Sequence, residues 1–221
     1  MQRQHVKRET DLQIISTWVE EGQRVLDLGC GRGVLLEHLA QSKAVYGVGV
    51  DLDLGKAQAC IRRGVNVYQG DALSLMKIYP DRAFDWVILS RTVQELEAPR
   101  AVFDEALRVG CRVAVGFVNF GYWKNRLSLL WRGALPRNEV FPLHWEEGSS
   151  GNSVAVRTFE SFCERNGIRM ERTVYLRGDW QRRCRFGAGF RAGYALYALS
   201  RATEATPALA ADPPMPSTSH R

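Results

Sequence analysis

The sequence predicts an α/β fold, a doubly wound and mostly parallel sheet of seven strands. Short apolar runs alternate with stretches whose apolar residues recur at helical spacing, the pattern of repeated βαβ units. The first run, Val25-Leu26-Asp27-Leu28, breaks into Gly29-Cys30-Gly31-Arg32-Gly33 and passes at once into an apolar helical stretch. That order reads strand, tight turn, helix N-terminus, and glycine suits the turn because it has no Cβ to oppose a positive φ. Two alternating stretches, 168–176 and 192–200, follow the last helix and close the sheet.

Taken in order, residues 1–10 are polar and expected to fray. Leu12, Ile15, Trp18 and Val19 share one helical face, with Asp11 as a plausible N-cap and Gly22 as the stop. Strand one is 24–28, and its glycine bend leads into a helix reaching about Ser42. Strand two, 45–50, ends at Asp51 with Leu52 beside it. A carboxylate at that place in a nucleoside-binding α/β fold accepts from both ribose hydroxyls. The alternative is a helix cap, a task that Asp53 can also perform. A helix over 56–63 precedes strand three, 65–69, and Asp71-Ala72 then stands at the strand's C-terminus, as a ligand group or as another helix cap. Strand four, 83–90, carries Asp85 at its start, the wrong edge for ligand chemistry, and Ser90 at the edge where ligands bind. Pro99 opens the next helix, and strand five is 112–118.

Trp123, Leu127, Leu130 and Trp131 then repeat at helical spacing, which reads as core packing or, alternatively, as a lid or partner surface. Residues 136–153 are irregular and hold His144, a lone histidine without a metal-ligand partner at suitable spacing. A helix over 158–165 precedes the two closing strands. Between these strands Arg177, Arg182, Arg183, Arg185 and Arg191 form a basic, solvated loop.

The chain has 221 residues, 45% hydrophobic and 24% charged, enough for one domain with a sizeable core. The expected organisation is a single domain over 1–201, with an insertion at about 119–157 after strand five, and a disordered Ala-, Pro- and Ser-rich tail over 202–221. No apolar run approaches the roughly 18 residues of a membrane span, and the N-terminal stretch lacks an apolar export core. The five cysteines are scattered, odd in number and free of C-x-x-C. These features predict a cytoplasmic protein with reduced thiols, no membrane contact and no metal. The net charge of +6 is dispersed apart from the basic loop, so no nucleic-acid partner is expected.

The spacing Asp27-x-Gly29-x-Gly31-x-Gly33 departs from the dinucleotide pattern, whose third glycine would fall at Val34. It resembles motif I of class I S-adenosylmethionine-dependent methyltransferases. The longer segments are more specific: Phe84 to Glu95, Glu105 to Gly110, Asn119-Phe120-Gly121-Tyr122-Trp123, Pro136, Trp145, Phe159-Glu160-Ser161-Phe162-Cys163 and Gly167-Ile168. In these the chain resembles the methionine biosynthesis protein MetW family. One departure lies at 146–152, where a Tyr-Asp-Thr-Pro-Asn-Ile-His type of run is expected.

The resemblance implies a class I methyltransferase (Rossmann-like) sheet with its last strand antiparallel, and S-adenosylmethionine as cofactor. It places that cofactor against Asp27, Gly29, Cys30, Gly31, Gly33, Asp51, Leu52, Asp71, Ala72 and Ser90. It also implies a partner, the homoserine O-acyltransferase MetX, which the chain supports in methionine synthesis. The rival reading is an active methyltransferase on an unidentified small molecule. No catalytic base is identified, because Thr92 to Glu95 supplies acids and amides only.

Overall fold

The computed structural model describes residues 2–133 and 151–202. The order of elements is α1 (Gln2–Trp18), β1 (Arg24–Leu28), α2 (Val34–Lys43), β2 (Tyr46–Asp51), α3 (Leu54–Arg62), β3 (Asn66–Gln69), α4 (Ala72–Met76) and β4 (Phe84–Ser90). A 3-10 turn (Val93–Glu95) follows, then α5 (Pro99–Val109), β5 (Gly110–Val118), α6 (Trp123–Arg132), α7 (Val156–Arg165), β6 (Ile168–Leu176), α8 (Ala188–Arg191) and β7 (Tyr194–Arg201). The strands form one sheet in the order β3-β2-β1-β4-β5-β7-β6. Neighbours pair in parallel from β3 to β5, and β7 runs antiparallel to both β5 and β6. The chain reverses direction across the sheet between β1 and β4, so the crevice for a ligand lies outside the carboxyl ends of these strands.

Alternation along the strands sorts side chains onto two faces. Leu26, Leu28, Val87, Leu89, Tyr197 and Leu199 pack with α4, α5 and α7. Val25, Trp86, Ile88, Leu196 and Ala198 pack with α1, α2 and Cys60 of α3. On the second face Trp18 and Trp86 stack with ring centroids 6.3 Å apart, and each is almost wholly buried. Burial of one such ring contributes roughly 1.5–3 kcal/mol.

Three expectations change. The polar start of the chain is helical from Gln2, so Asp11 sits inside α1 and caps nothing. It is 1% exposed and pairs with Arg91, a contact 80 residues away that local sequence cannot reveal. The stripe on α6 is not core, because Leu130 and Trp131 are 77% and 79% exposed. That helix lies outside both layers and is tied down by polar bonds, Arg126 Nε to the Gly121 carbonyl and Asn125 Nδ2 to that of Phe120. Finally, α7 begins at Val156 rather than Thr158, whose hydroxyl accepts from the Ala155 amide at the helix start.

Asn119 ties its segment to two distant elements. Wholly buried, it donates to the Ala192 carbonyl at 2.7 Å and accepts from the amides of Gly121 and Val156. One side chain thus joins the end of β5, the start of α7 and the approach to β7. His144, Trp145 and the expected tail beyond Ala202 lie outside the described residues, as does the 146–150 part of the departure.

Candidate nucleoside site at the glycine bend

The three glycines of the bend all have positive φ: 73° at Gly29, 60° at Gly31 and 73° at Gly33, which is the N-cap of α2. A non-glycine residue would be strained at each. The bend is stitched to its neighbours. The amides of Gly29 and Cys30 donate to the Val50 carbonyl at 2.8 and 3.0 Å. Thr92, beyond β4, donates its hydroxyl to the Leu28 carbonyl at 2.7 Å and fills the space beside Gly29, where a Cβ would stand 2.4 Å from Oγ1. Around Gly31, by contrast, an added Cβ would meet nothing within 4 Å.

Asp51 closes the bend from β2. Its Oδ2 accepts from the Gly31 amide at 3.0 Å, its Oδ1 accepts from the Asp53 amide at 3.0 Å, and Lys56 Nζ lies 3.5 Å from Oδ1. Asp53 does the capping, accepting from the Lys56 amide at 2.9 Å, so Asp51 is spared that task. The end of β3 is fastened to the same place, since Gly70 donates its amide to the Asp51 carbonyl and Gln69 Nε2 donates to that of Leu52. Leu52 itself is 71% exposed at the rim.

Asp27 is the unusual group. It is 5% exposed at the end of β1, and its carboxylate has no hydrogen-bond or ion-pair partner among the described residues. Burial, with the charge of Asp51 nearby, pushes its pKa up to about 7. A mostly buried carboxylate without a partner is costly to ionise, and it suits a cationic or hydrogen-donating ligand.

The remaining candidates separate. Asp71 caps α4 through the Ser74 amide at 2.7 Å, and that bond holds its carboxyl below the usual range. Ala72 is the first residue of that helix. Ser90 joins a different cluster: its hydroxyl lies 3.3 Å from Asp11 Oδ2 and 3.4 Å from the Tyr194 hydroxyl. Arg91, with φ of 66°, makes a two-bond pair with Asp11 at 3.0 Å each and lays its guanidinium 4.7 Å from the Trp180 ring. Asp85 is structural, accepting from the Arg24 amide at 2.7 Å at the far edge of the sheet. Sequence reasoning did not single out Lys56, the Thr92 wedge or the Asp11–Arg91 pair, for each depends on a contact between elements.

Residues 9–199 match the family described as methionine biosynthesis protein MetW. The chain belongs to the MetW family. A bifunctional methionine biosynthesis protein MetXA/MetW of Rhodopirellula baltica is 32% identical over 141 residues, which are 60% of this chain and 22% of that protein. A demethylmenaquinone methyltransferase of Corynebacterium urealyticum is 40% identical over 88 residues, 40% of this chain and 37% of its own length. The chain therefore spans well under two thirds of these relatives.

Among solved structures, a geranyl diphosphate C-methyltransferase from Streptomyces coelicolor, in complex with Mg2+, geranyl diphosphate and S-adenosyl-L-homocysteine, superposes with a TM-score of 0.64 at 15% identity. The match covers 90% of this chain and 80% of that one. A SAM dependent methyltransferase from Archaeoglobus fulgidus gives 0.59 at 18% identity, covering 90% and 94%. The fold of this MetW chain is that of class I methyltransferases.

Proposed function

We propose that this MetW chain binds S-adenosylmethionine in the glycine bend and serves methionine biosynthesis as the partner of a homoserine O-acyltransferase. The observation that carries the cofactor reading is Asp27, a buried carboxylate with no partner among the described residues, at the start of a bend whose Gly31 has open space beside it. The residues fit the group. Asp27 takes the ammonium of the methionine portion, and the bend from Gly29 through Cys30 to Gly33 lies along it. Asp51 receives the ribose hydroxyls on its remaining lone pairs, since each of its oxygens accepts only one amide. Leu52, Asp71 and Ala72 border the base, and Ser90 stands on the reacting side. When bound, the cofactor supplies an electrophilic methyl on a sulfonium.

The partner reading is supported by the relative that combines MetXA and MetW in its name. A second reading, methyl transfer to a small acceptor, is favoured by the 40% identity to a methyltransferase over 88 residues. One set of measurements separates them. S-adenosylmethionine is titrated into the protein, and the product S-adenosylhomocysteine is followed with cell-extract small molecules. Acyl transfer from acyl-CoA to homoserine is then measured for the cognate acyltransferase with and without this chain. Binding without turnover, together with stimulated acyl transfer and co-elution, is the expected result. An acyltransferase that is fully active alone and forms no complex removes the partner reading, and absence of cofactor binding removes the site.

A further inference from the structure

We propose that Cys30 and Cys60 are a redox pair whose oxidation to a disulfide distorts the glycine bend and weakens its hold on a ligand. Their sulfurs lie 3.8 Å apart, in van der Waals contact, although they come from the bend after β1 and from α3. Room for them is made by two glycines. A Cβ at Gly49 would stand 2.6 Å from Cys30 Sγ, and one at Gly33 would stand 3.0 Å from Cys60 Sγ. Both sulfurs also face the Gly31 carbonyl, Cys60 at 3.3 Å and Cys30 at 3.9 Å. Bond formation requires the sulfurs to close to about 2.05 Å. The residue between them, Gly31, is the one whose amide holds Asp51.

Exposure assigns the order of events. Cys30 is partly exposed and Cys60 is wholly buried. With a peroxide as oxidant, the Cys30 thiolate attacks the O–O bond, giving a sulfenic acid and releasing one oxygen as water. Cys60 sulfur then attacks the Cys30 sulfur and expels the second oxygen as water. Each sulfur gives up one electron, the peroxide takes two, and both thiol protons end in water. Burial and the charges of Asp27 and Asp51 push both thiols up, so the pair reacts slowly at neutral pH and faster as pH rises.

The test treats the full chain with hydrogen peroxide, blocks the remaining thiols and maps the peptides by mass. The expected product has lost two hydrogens, links Cys30 to Cys60, and reverts with dithiothreitol. Oxidation of Cys30 to sulfinate without the link, or a link to Cys111, Cys163 or Cys184 instead, overturns the pair. The effect on the ligand rests on the proposed cofactor site and is read separately. S-adenosylmethionine affinity should fall at least about tenfold on oxidation, roughly 1.4 kcal/mol, and return on reduction. Cys60→Ser, or Cys60→Ala if the first fails to fold, should bind the cofactor as the reduced protein does, form no linked peptide with peroxide and instead gain oxygen at Cys30. A linked protein with unchanged affinity overturns the proposed consequence. A reduced protein that does not bind counts against the cofactor site, while the mass of the link still decides the redox pair.

Discussion

Two clusters of charge sit at the same edge of the sheet and are built in opposite ways. At the end of β4 the charges answer one another: Asp11 is spanned by Arg91, with Ser90 and Tyr194 close by and Trp180 against the guanidinium. At the end of β1 a carboxylate stands unanswered among the described residues, since Asp27 is buried with no partner there and the like charge of Asp51 is nearby. The first arrangement pairs its donors and acceptors with one another, although burial still pushes the Asp11 carboxyl up against the pull of Arg91. The second costs stability in the free protein and is suited to recover it on binding. A paired buried charge and an unpaired one therefore point to different purposes, even on adjacent strands.

The contrast is broken most severely at Arg91. Removing it in Arg91→Ala leaves Asp11 buried without its partner, and denaturant unfolding should show a loss of about 3 kcal/mol. Arg91→Ala with Asp11→Asn should recover part of that loss. A stability unchanged by Arg91→Ala would show that the pair is not the clamp described.

The next effect is on binding. Asp51→Ala should weaken S-adenosylmethionine by roughly 1–3 kcal/mol in a calorimetric titration, and unchanged affinity would remove Asp51 from the ribose.

Asp27 should move the two quantities in opposite directions. Its folded pKa of about 7 stands above the ordinary value of 3.8. The neutral form is thus favoured in the fold, and stability from this group is complete below about 3.8 and lost as pH rises to about 7. Asp27→Asn should flatten that stretch of the stability profile and lower cofactor affinity. In the wild-type chain, affinity should rise with pH up to about 7 as the carboxylate ionises, then level off. A profile without that rise would separate Asp27 from the ammonium.

The smallest change in stability is expected at Gly31→Ala. A positive φ costs an L-residue on the order of 1–2 kcal/mol, and no atom of the described residues opposes the new methyl. The same methyl occupies the open side of the bend, so affinity should fall much further than stability. Equal losses would mean that no ligand lies there.

These two clusters were not equally legible in the chain. The glycine bend, Asp27 and Asp51 are close in sequence, and their order follows from strand, turn and helix chemistry, so local pattern reached them. The antiparallel last strand came with the family resemblance. The β4 cluster draws on residues 11, 90, 91, 180 and 194, and no local rule links them. Asp11 looked like a cap because a carboxylate before an apolar helical face commonly is one; packing of α1 on the sheet decided otherwise. The α6 stripe has core periodicity without a core to meet, since both sheet faces are already covered by other helices.

The reversed course of β7 sets where the backbone leaves the sheet. The strand starts at Tyr194, beside the ligand edge, and ends at Arg201, whose guanidinium donates to the Leu107 carbonyl near the end of α5. Its 8 residues carry the chain roughly 25 Å at about 3.3 Å each. The backbone therefore leaves Ala202 from the rear of the sheet, at the end opposite the glycine bend.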